Sequence, residues 1–595
     1  MRRPTAVLAA LAGACLVLTG CGVGMPDRGT VHVTSANASD RDDSAVSINP
    51  RRPGKGDSPD QIVKGFLDAM RATPAVTTTV AREFLTPEAS DNWQPTGMVI
   101  YTAVLTPKGN NDVNNEVEAQ LINAKRTDGR GAWLGPVSEE DSTVTFPMEQ
   151  LEDGEWRIAQ PPPYLLVPQS WFAQRFQQVS LYFFDPTATM LIPEPIFVPR
   201  GQQFVSTLVN GLLQGPAAEL AGTEQNYVPP GLRSLVSVPV SSSGLAKVEL
   251  TSDTGEAEVP SSDQTELLVS QLAWTLRQDA SIARFSVTID GRPVQLSGET
   301  EFSVEHGHEY APYVAGSSSF LFGLQEGRMV GGSAQNLETV SGPFGQGGYS
   351  LRTVSPDLRA EQVAGVSTSG TTMWVAPVND GGVDPTPLIT TGEDLLRPGW
   401  DFSGRVWEVD RTSHGAVVTY LRKHRMRTLE VPGISGMDVK DFLVSRDGSR
   451  LIAVVRVDAD DDAIVVSRIQ TTSDGQVVRA LAAEDITDPD NLDGQIRDIA
   501  WRSPTSLLVL RPVSRSLFQV RSASVDGAAD IDEFTAPPID GHVVSLAGTP
   551  VPGEHSYCFA PGEPDDPTAV LIDLAGPSGN QVDIDPRVTM LSYVG

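Results

Sequence analysis

Two arginines, Arg2 and Arg3, precede an almost unbroken apolar run from Pro4 to Leu18. That run has the length of a signal-peptide core and falls short of a bilayer span. It gives way to a polar stretch, Gly22 to Asp57, rich in Ser, Asp, Asn, Gly and Pro and without apolar periodicity. Such a stretch predicts a flexible tether. A coil of about 36 residues holds the globular part of the chain roughly 35 Å from its attachment point. From Ser58 the period becomes helical: Ser58-Pro59 supply an N-cap and a first-turn proline, and Ile62, Val63, Phe66, Leu67 and Met70 recur on one face. A second short helix is expected over Val76 to Leu85. Strands are expected at Gly97 to Thr106, Asn115 to Lys125, Ser142 to Met148 and Glu155 to Ile158, before Pro161-Pro162-Pro163 stops the unit.

Helices first and then a curved antiparallel sheet, ending in Asp153-Gly154-Glu155-Trp156-Arg157-Ile158, is similar to the nuclear-transport-factor-like cone. This first α+β unit is placed at 58–165. A second, 170–310, starts with the strand Leu181-Tyr182-Phe183-Phe184-Asp185 and the segment Met190-Leu191-Ile192-Pro193-Glu194. A helix from Gln202 to Leu213 carries one apolar stripe and stops at Gly215-Pro216. Pro229-Pro230-Gly231 leads into a strand near Leu235 to Pro239, and Ala246 to Leu250 is expected to pair with it. A further helix starts at Asp263, with Glu266 completing a capping box. The alternating Phe285, Val287 and Ile289 then run into an Asp290-Gly291 hairpin turn. The Tyr-Phe strand, the helix closing on Leu-x-Gly-Pro, the Pro-Gly turn, the Val-Glu-Leu strand and the final Asp-Gly resemble the GerMN domain of bacterial envelope lipoproteins.

From Ser317 the helical signal disappears. Ser355-Pro356-Asp357, Trp400-Asp401, Ser445-Arg446-Asp447-Gly448 and Trp501-Arg502-Ser503-Pro504 punctuate runs of β-branched and aliphatic residues. The intervals from Asp357 to Asp401 and on to Asp447 are about 44 and 46 residues, and the next, to Ser503, about 56. The long interval is assigned to insertions at Asp458 to Asp462 and after Asp485. A period near 45 suits four-stranded propeller blades, so 317–595 is expected to form a β-propeller of five or six blades. The fold class is therefore multidomain: two α+β domains followed by an all-β propeller.

Composition narrows the partners. The chain has 595 residues, 44 Lys+Arg against 75 Asp+Glu, and a net charge of −31. A surface this acidic repels phosphate backbones, so no nucleic acid is expected as partner. Leu18-Thr19-Gly20-Cys21 resembles the lipobox of bacterial lipoproteins. That resemblance makes 1–20 a lipoprotein signal peptide, 21–57 the tether, and Cys21 the acylated first mature residue. Two or more acyl chains anchor stably where one does not. Cys15 leaves with the signal and Cys558 stands alone, so no disulfide forms within the mature chain. The expected location is the cell membrane, lipid-anchored on its extracytoplasmic face.

The residues offer little chemistry. Gly365-Val366-Ser367-Thr368-Ser369-Gly370 is out of register with a nucleophile elbow. His308-Glu309 is followed by Tyr310-Ala311-Pro312 and so makes no zincin motif, and Gly54-Lys55 lacks the context of a phosphate loop. His306-Gly307-His308-Glu309 is read as an exposed interdomain segment, and Asp458 to Asp462 as an acidic loop between strands. No metal, no cofactor and no catalytic residue are assigned, and an enzyme is not expected. The basic run Arg422-Lys423-His424-Arg425-Met426-Arg427 is exceptional in an acidic chain. On one strand, Lys423, Arg425 and Arg427 would share a face, a candidate contact for an acidic partner.

Lipobox, tether, cone, GerMN-like domain and propeller, in that order, resemble the LpqB family of envelope lipoproteins of high-GC Gram-positive bacteria. The resemblance implies an accessory regulator of an MtrAB-type two-component system that binds the extracytoplasmic part of the MtrB-type sensor histidine kinase and affects cell-wall homeostasis and division. Only Cys21 carries over, as the lipidation site. Two other classes remain open at this point: a cell-wall glycan-processing hydrolase, and an extracytoplasmic solute-binding lipoprotein using the cone or propeller cavity.

Overall fold

Ser58 caps the first helix, α1 (Pro59–Ala69), where Gln61 accepts from the Ser58 N–H at 2.9 Å and Pro59 opens the first turn. The computed structural model describes residues 50–595 apart from 73–76, 106–107, 110–114, 235–236, 256–259, 423–424, 488–491, 493, 530–533, 535, 563–567 and 576–579. The signal segment, Cys21 and most of the tether lie outside the described residues. Ile62, Val63, Phe66 and Leu67 of α1 are buried against a sheet that includes Glu116–Ile122 and Thr143–Gln150, where Val117, Ala119, Leu121, Val144 and Phe146 point inward at alternate positions. The helical signal expected over 76–85 resolves into Thr77–Ala81 and the 3₁₀ turn Arg82–Phe84. Residues 50–57, read as the end of the tether, lie on this domain: Arg52 pairs with Glu83 at 3.4 Å, and the Gly56 N–H donates to Glu155 at 2.9 Å.

The prolines at 161–163 do not end the first unit. They form an extended turn, with the Trp93 indole donating to the Pro162 carbonyl at 2.7 Å. The chain then returns as Leu165–Pro168, parallel to Met98–Tyr101. A short helix, α2 (Gln169–Arg175), leads directly into the second domain.

That domain begins with the hairpin Phe176–Phe184 and Leu191–Pro199. Prolines at 193, 195 and 199 are tolerated because the second strand is an edge whose missing N–H groups break no ladder. Helix α3 (Phe204–Gln214) and helix α4 (Ser262–Leu276) share one core with the parallel strands Leu245–Ser252 and Arg284–Ile289. The α4 capping box is Ser261 with Gln264, slightly earlier than the expected pair: Ser261 Oγ accepts from the Gln264 N–H, and Gln264 Oε1 from the Ser261 N–H. Asp263 lies inside the first turn, and Glu266 turns to His306 instead.

From Leu321 onward the described residues form six antiparallel sheets in sequence order, five of four strands and one, blade 4, of five, where the short Glu484–Asp485 also pairs with Asp462–Thr471. Blades 2 to 6 span 351–389, 399–429, 439–480, 498–540 and 545–584. Blade 1 takes three strands from 321–339 and its fourth from Val588–Ser592, which pairs with Leu321–Gln325 and closes the ring. The repeated Trp-containing segments occupy the innermost strands. Each indole is clipped to the preceding blade: Trp400 donates to the Ser355 carbonyl at 2.8 Å and Trp501 to the Val444 carbonyl at 3.1 Å. The insertion after Asp485 is no surface excursion, since Ile486, Leu492 and Ile496 are buried between blades 4 and 5.

The described residues form one compact unit. Met98, Trp171, Phe197 and Ala528 bring the two α+β domains and blade 5 into a shared apolar cluster. Gly131 has φ +89°, and a Cβ there would strike the Phe197 carbonyl, so the close approach of these domains requires glycine. Among the described residues no helix is long and apolar enough to cross a membrane.

Candidate functional site

The basic run folds as a hairpin, not as one strand. Gly415–Arg422 pairs with Arg425–Leu429, with Arg422 opposite Arg425 and Tyr420 opposite Arg427. Lys423 lies outside the described residues; Arg425 and Arg427, at i and i+2 of one strand, do share a face. Directly opposed residues share a face of a sheet. Tyr420, Arg422, Arg425 and Arg427 therefore stand together, on the side where Trp407 packs against Tyr420 at 5.3 Å.

This face forms one wall of a groove of about 500 Å³ between blades 3 and 4, lined also by Arg405 and residues 474–477. Arg405 is buried and neutralised by Asp401 at 2.5 Å, with Asp401 also accepting from the Trp407 indole at 2.8 Å. The Arg405 and Arg422 guanidiniums both donate to the Gly475 carbonyl, at 3.2 and 2.9 Å, and so hold the opposite lip in place. Asp474 on that lip is held below the ordinary carboxylate range by hydrogen bonds from Thr472 and Gln476. Among the described residues no carboxylate pairs with Arg425 or Arg427, and both are exposed. In a protein of net charge −31 the groove is a local reversal of sign. A second cavity, of about 310 Å³, adjoins it and shares Arg405, Arg422, Asp474 and Gly475. Its far wall is Asp185 to Thr189 of the second domain, where the Asp185 carboxylate is consumed by the backbone N–H groups of Thr187, Thr189 and Met190.

Behind these cavities the second domain is locked to blade 4 by buried charge. Glu194, held between Pro193 and Pro195 on the edge strand, accepts from Arg450 at 2.5 Å and from both terminal nitrogens of Arg468 at 2.6 and 2.5 Å. The Pro193 carbonyl takes a further bond from Arg450 at 2.7 Å. Burial alone would raise Glu194, but the two guanidiniums outweigh it and hold this carboxyl well below its ordinary range. Glu224 stands 3.6 Å from Arg468. Burial first, and then the charge of Glu194, push Glu224 well above its ordinary range. The unequal pair has the acid and base character of a glycosidase couple. Here, however, the carboxyls are packed against each other and two arginines, whereas a sugar ring needs roughly 5–10 Å between them.

These shifts make stability depend on pH. A carboxyl raised on folding contributes stability that is fully present below its unfolded pKa and lost as pH rises through its folded value. Glu408 and Asp498, also raised by burial, act in the same direction. Glu224→Gln removes the Glu224 share. The variant is expected to lose stability less steeply than wild type in a thermal-unfolding series taken upward in pH from the ordinary carboxylate range, and equal slopes would refute the assignment.

In the central channel, among the described residues, one cavity of about 30 Å³ lies between the inner strands, room for a water molecule and not for a solute. Arg446 sits there, buried, donating to the carbonyls of Tyr313 and Val594 at 2.9 and 3.1 Å and to the hydroxyls of Ser317 and Thr549 at 2.8 and 3.1 Å. It thereby ties the interdomain linker to the ring.

The segment His306–Glu309 is only partly the exposed stretch expected. His306 bonds Glu266 at 2.7 Å, the Gly307 carbonyl accepts from the Trp274 indole at 2.8 Å, and His308 and Glu309 face outward. Cys558 is buried in blade 6, where burial pushes its thiol far up. Glu194, Arg450, Arg468 and Arg446 escaped the sequence reading. Pro193-Glu194-Pro195 and Arg446, inside the Ser445-Arg446-Asp447-Gly448 repeat, were the signals available.

Three family models match the chain in order. "Lipoprotein LpqB, N-terminal domain" covers residues 52–173, "Sporulation and spore germination" covers 180–295, and "Lipoprotein LpqB beta-propeller domain" covers 327–550. The protein named Lipoprotein LpqB in Thermobifida fusca (strain YX) is 26% identical over 588 residues, spanning 88% of this chain and 90% of its own length. Its namesake in Cutibacterium acnes (strain DSM 16379 / KPA171202) is 26% identical over 555 residues, with 89% and 90% covered. That of Mycobacterium bovis (strain BCG / Pasteur 1173P2) is 26% identical over 505, with 78% and 81% covered. Among solved structures, TolB from Acinetobacter baumannii aligns at 11% identity and a TM-score of 0.34, over 54% of this chain and 85% of TolB.

Proposed function

Because the chain belongs to the LpqB family of lipoproteins, we propose that it is a membrane-tethered binding protein and not an enzyme. In this reading it is the accessory of an MtrAB-type two-component system and contacts the extracytoplasmic part of the sensor kinase. Acyl chains on Cys21 hold it at the outer face of the cytoplasmic membrane. Confinement near the bilayer raises its effective concentration toward a membrane-embedded receptor. The observation that carries the reading is the groove between blades 3 and 4, where Arg425 and Arg427 stand exposed and pair with no carboxylate among the described residues of a strongly acidic molecule. Oppositely charged surfaces steer encounter and select partners.

Affinity capture from membranes with the acylated protein tests the assignment: recovery of a sensor kinase supports it, and recovery of wall precursors alone overturns it. Cys21→Ser is expected to leave the unfolding transition unchanged, to release the protein from the membrane fraction, and to weaken signalling. Undiminished signalling by the soluble, unacylated protein would refute the need for an anchor.

A further inference from the structure

The strand Arg425–Leu429 is the outermost of blade 3 and pairs on one side only, with Gly415–Arg422. Its first four residues are exposed, including Met426 at 54%. Among the described residues, residues 425–428 make no backbone hydrogen bond beyond that ladder. A free edge of this kind presents a row of N–H and C=O groups spaced for another strand. Its side chains alternate in chemistry: Arg425 and Arg427 face the groove, with Arg422 and Tyr420 behind them, while Met426 faces the other way.

We propose that this edge is the partner-docking element: an extended acidic segment of the partner adds to Arg425–Leu429 as a fifth strand of blade 3. Backbone hydrogen bonds supply the register. Two carboxylates at i and i+2, about 6.8 Å apart along a strand, meet Arg425 and Arg427 over the groove. The residue between them is apolar and covers Met426. The same arginines exclude the wrong occupant, because two copies of this edge laid antiparallel would set arginine against arginine. The inference deepens the accessory role proposed above and rests on it for the identity of the partner.

The test uses the full acylated protein in detergent micelles and a fluorescent peptide of alternating Glu and Val. Binding read by anisotropy is expected, with a loss of roughly tenfold or more in Arg425→Glu/Arg427→Glu at an unchanged unfolding midpoint. A peptide N-methylated at alternate amides, which keeps the charge and removes the ladder, is expected to bind as poorly. Equal binding of that peptide would overturn strand addition. Arginine-dependent binding to phosphatidylglycerol vesicles with no peptide binding would assign the groove to lipid headgroups and overturn the proposal. Kinase capture by wild type and by the double variant alike would overturn the docking edge and leave the accessory role standing. Peptide binding as described, with no kinase captured by wild type, would do the reverse.

Discussion

Removal of Val588–Gly595 is expected to abolish the folded propeller, seen as loss of a cooperative unfolding transition and rapid proteolysis of 321–584. These residues supply the fourth strand of blade 1, and they bury Val588, Leu591, Tyr593 and Val594. Four buried apolar side chains at about 1.5–3 kcal/mol each amount to about 6–12 kcal/mol. That is comparable to the whole stability of a typical domain, about 5–15 kcal/mol. The loss is also geometric. Without the last strand, Leu321–Gln325 becomes an open edge. Arg446 loses the Val594 carbonyl, and a buried guanidinium is left one acceptor short. A truncated chain with native protease resistance would show that closure is dispensable.

Glu194→Ala carries the second large expectation. It takes the shared carboxylate from the buried Arg450 and the half-buried Arg468, leaving Arg450 only Asp447 at 3.9 Å as an ion-pair partner, and breaking one side of a buried pair costs about 3–5 kcal/mol. The first transition in denaturant, where the second domain parts from blade 4, is expected to move accordingly. Adding Arg450→Met and Arg468→Met should recover a good part of the loss, because a buried ion cluster replaced as a whole by apolar side chains is often neutral. Glu224 stands 3.6 Å from Arg468 and can ionise in place of Glu194, which sets the lower end of the range. A Glu194→Ala protein as stable as wild type would mean that the interface is held by packing alone.

These two expectations rest on different kinds of information. The closing strand belongs to a run of short β segments whose spacing was legible as a propeller. The helical faces of α1 and α3, the Asp290-Gly291 hairpin and the family order were equally readable, because each depends on a period of 2 or 3.6 residues or on a few neighbouring side chains. The hairpin between Arg422 and Arg425 was less so. A basic run carries no apolar alternation to mark a reversal, so nothing in it shows that Arg422 and Arg425 stand across from each other on two strands.

The chain alone determined its elements, its repeated blades and the charge of its surface, since these come from local periodicity and composition. Only the closed tertiary structure decided that Glu194 would meet Arg450 and Arg468 more than 250 positions away, that Arg446 would sit in the channel, and that four residues of one hairpin would line a groove. Such meetings are set by which domain packs on which blade. A buried charge shows its purpose only when its partner arrives, because in water neither needs the other.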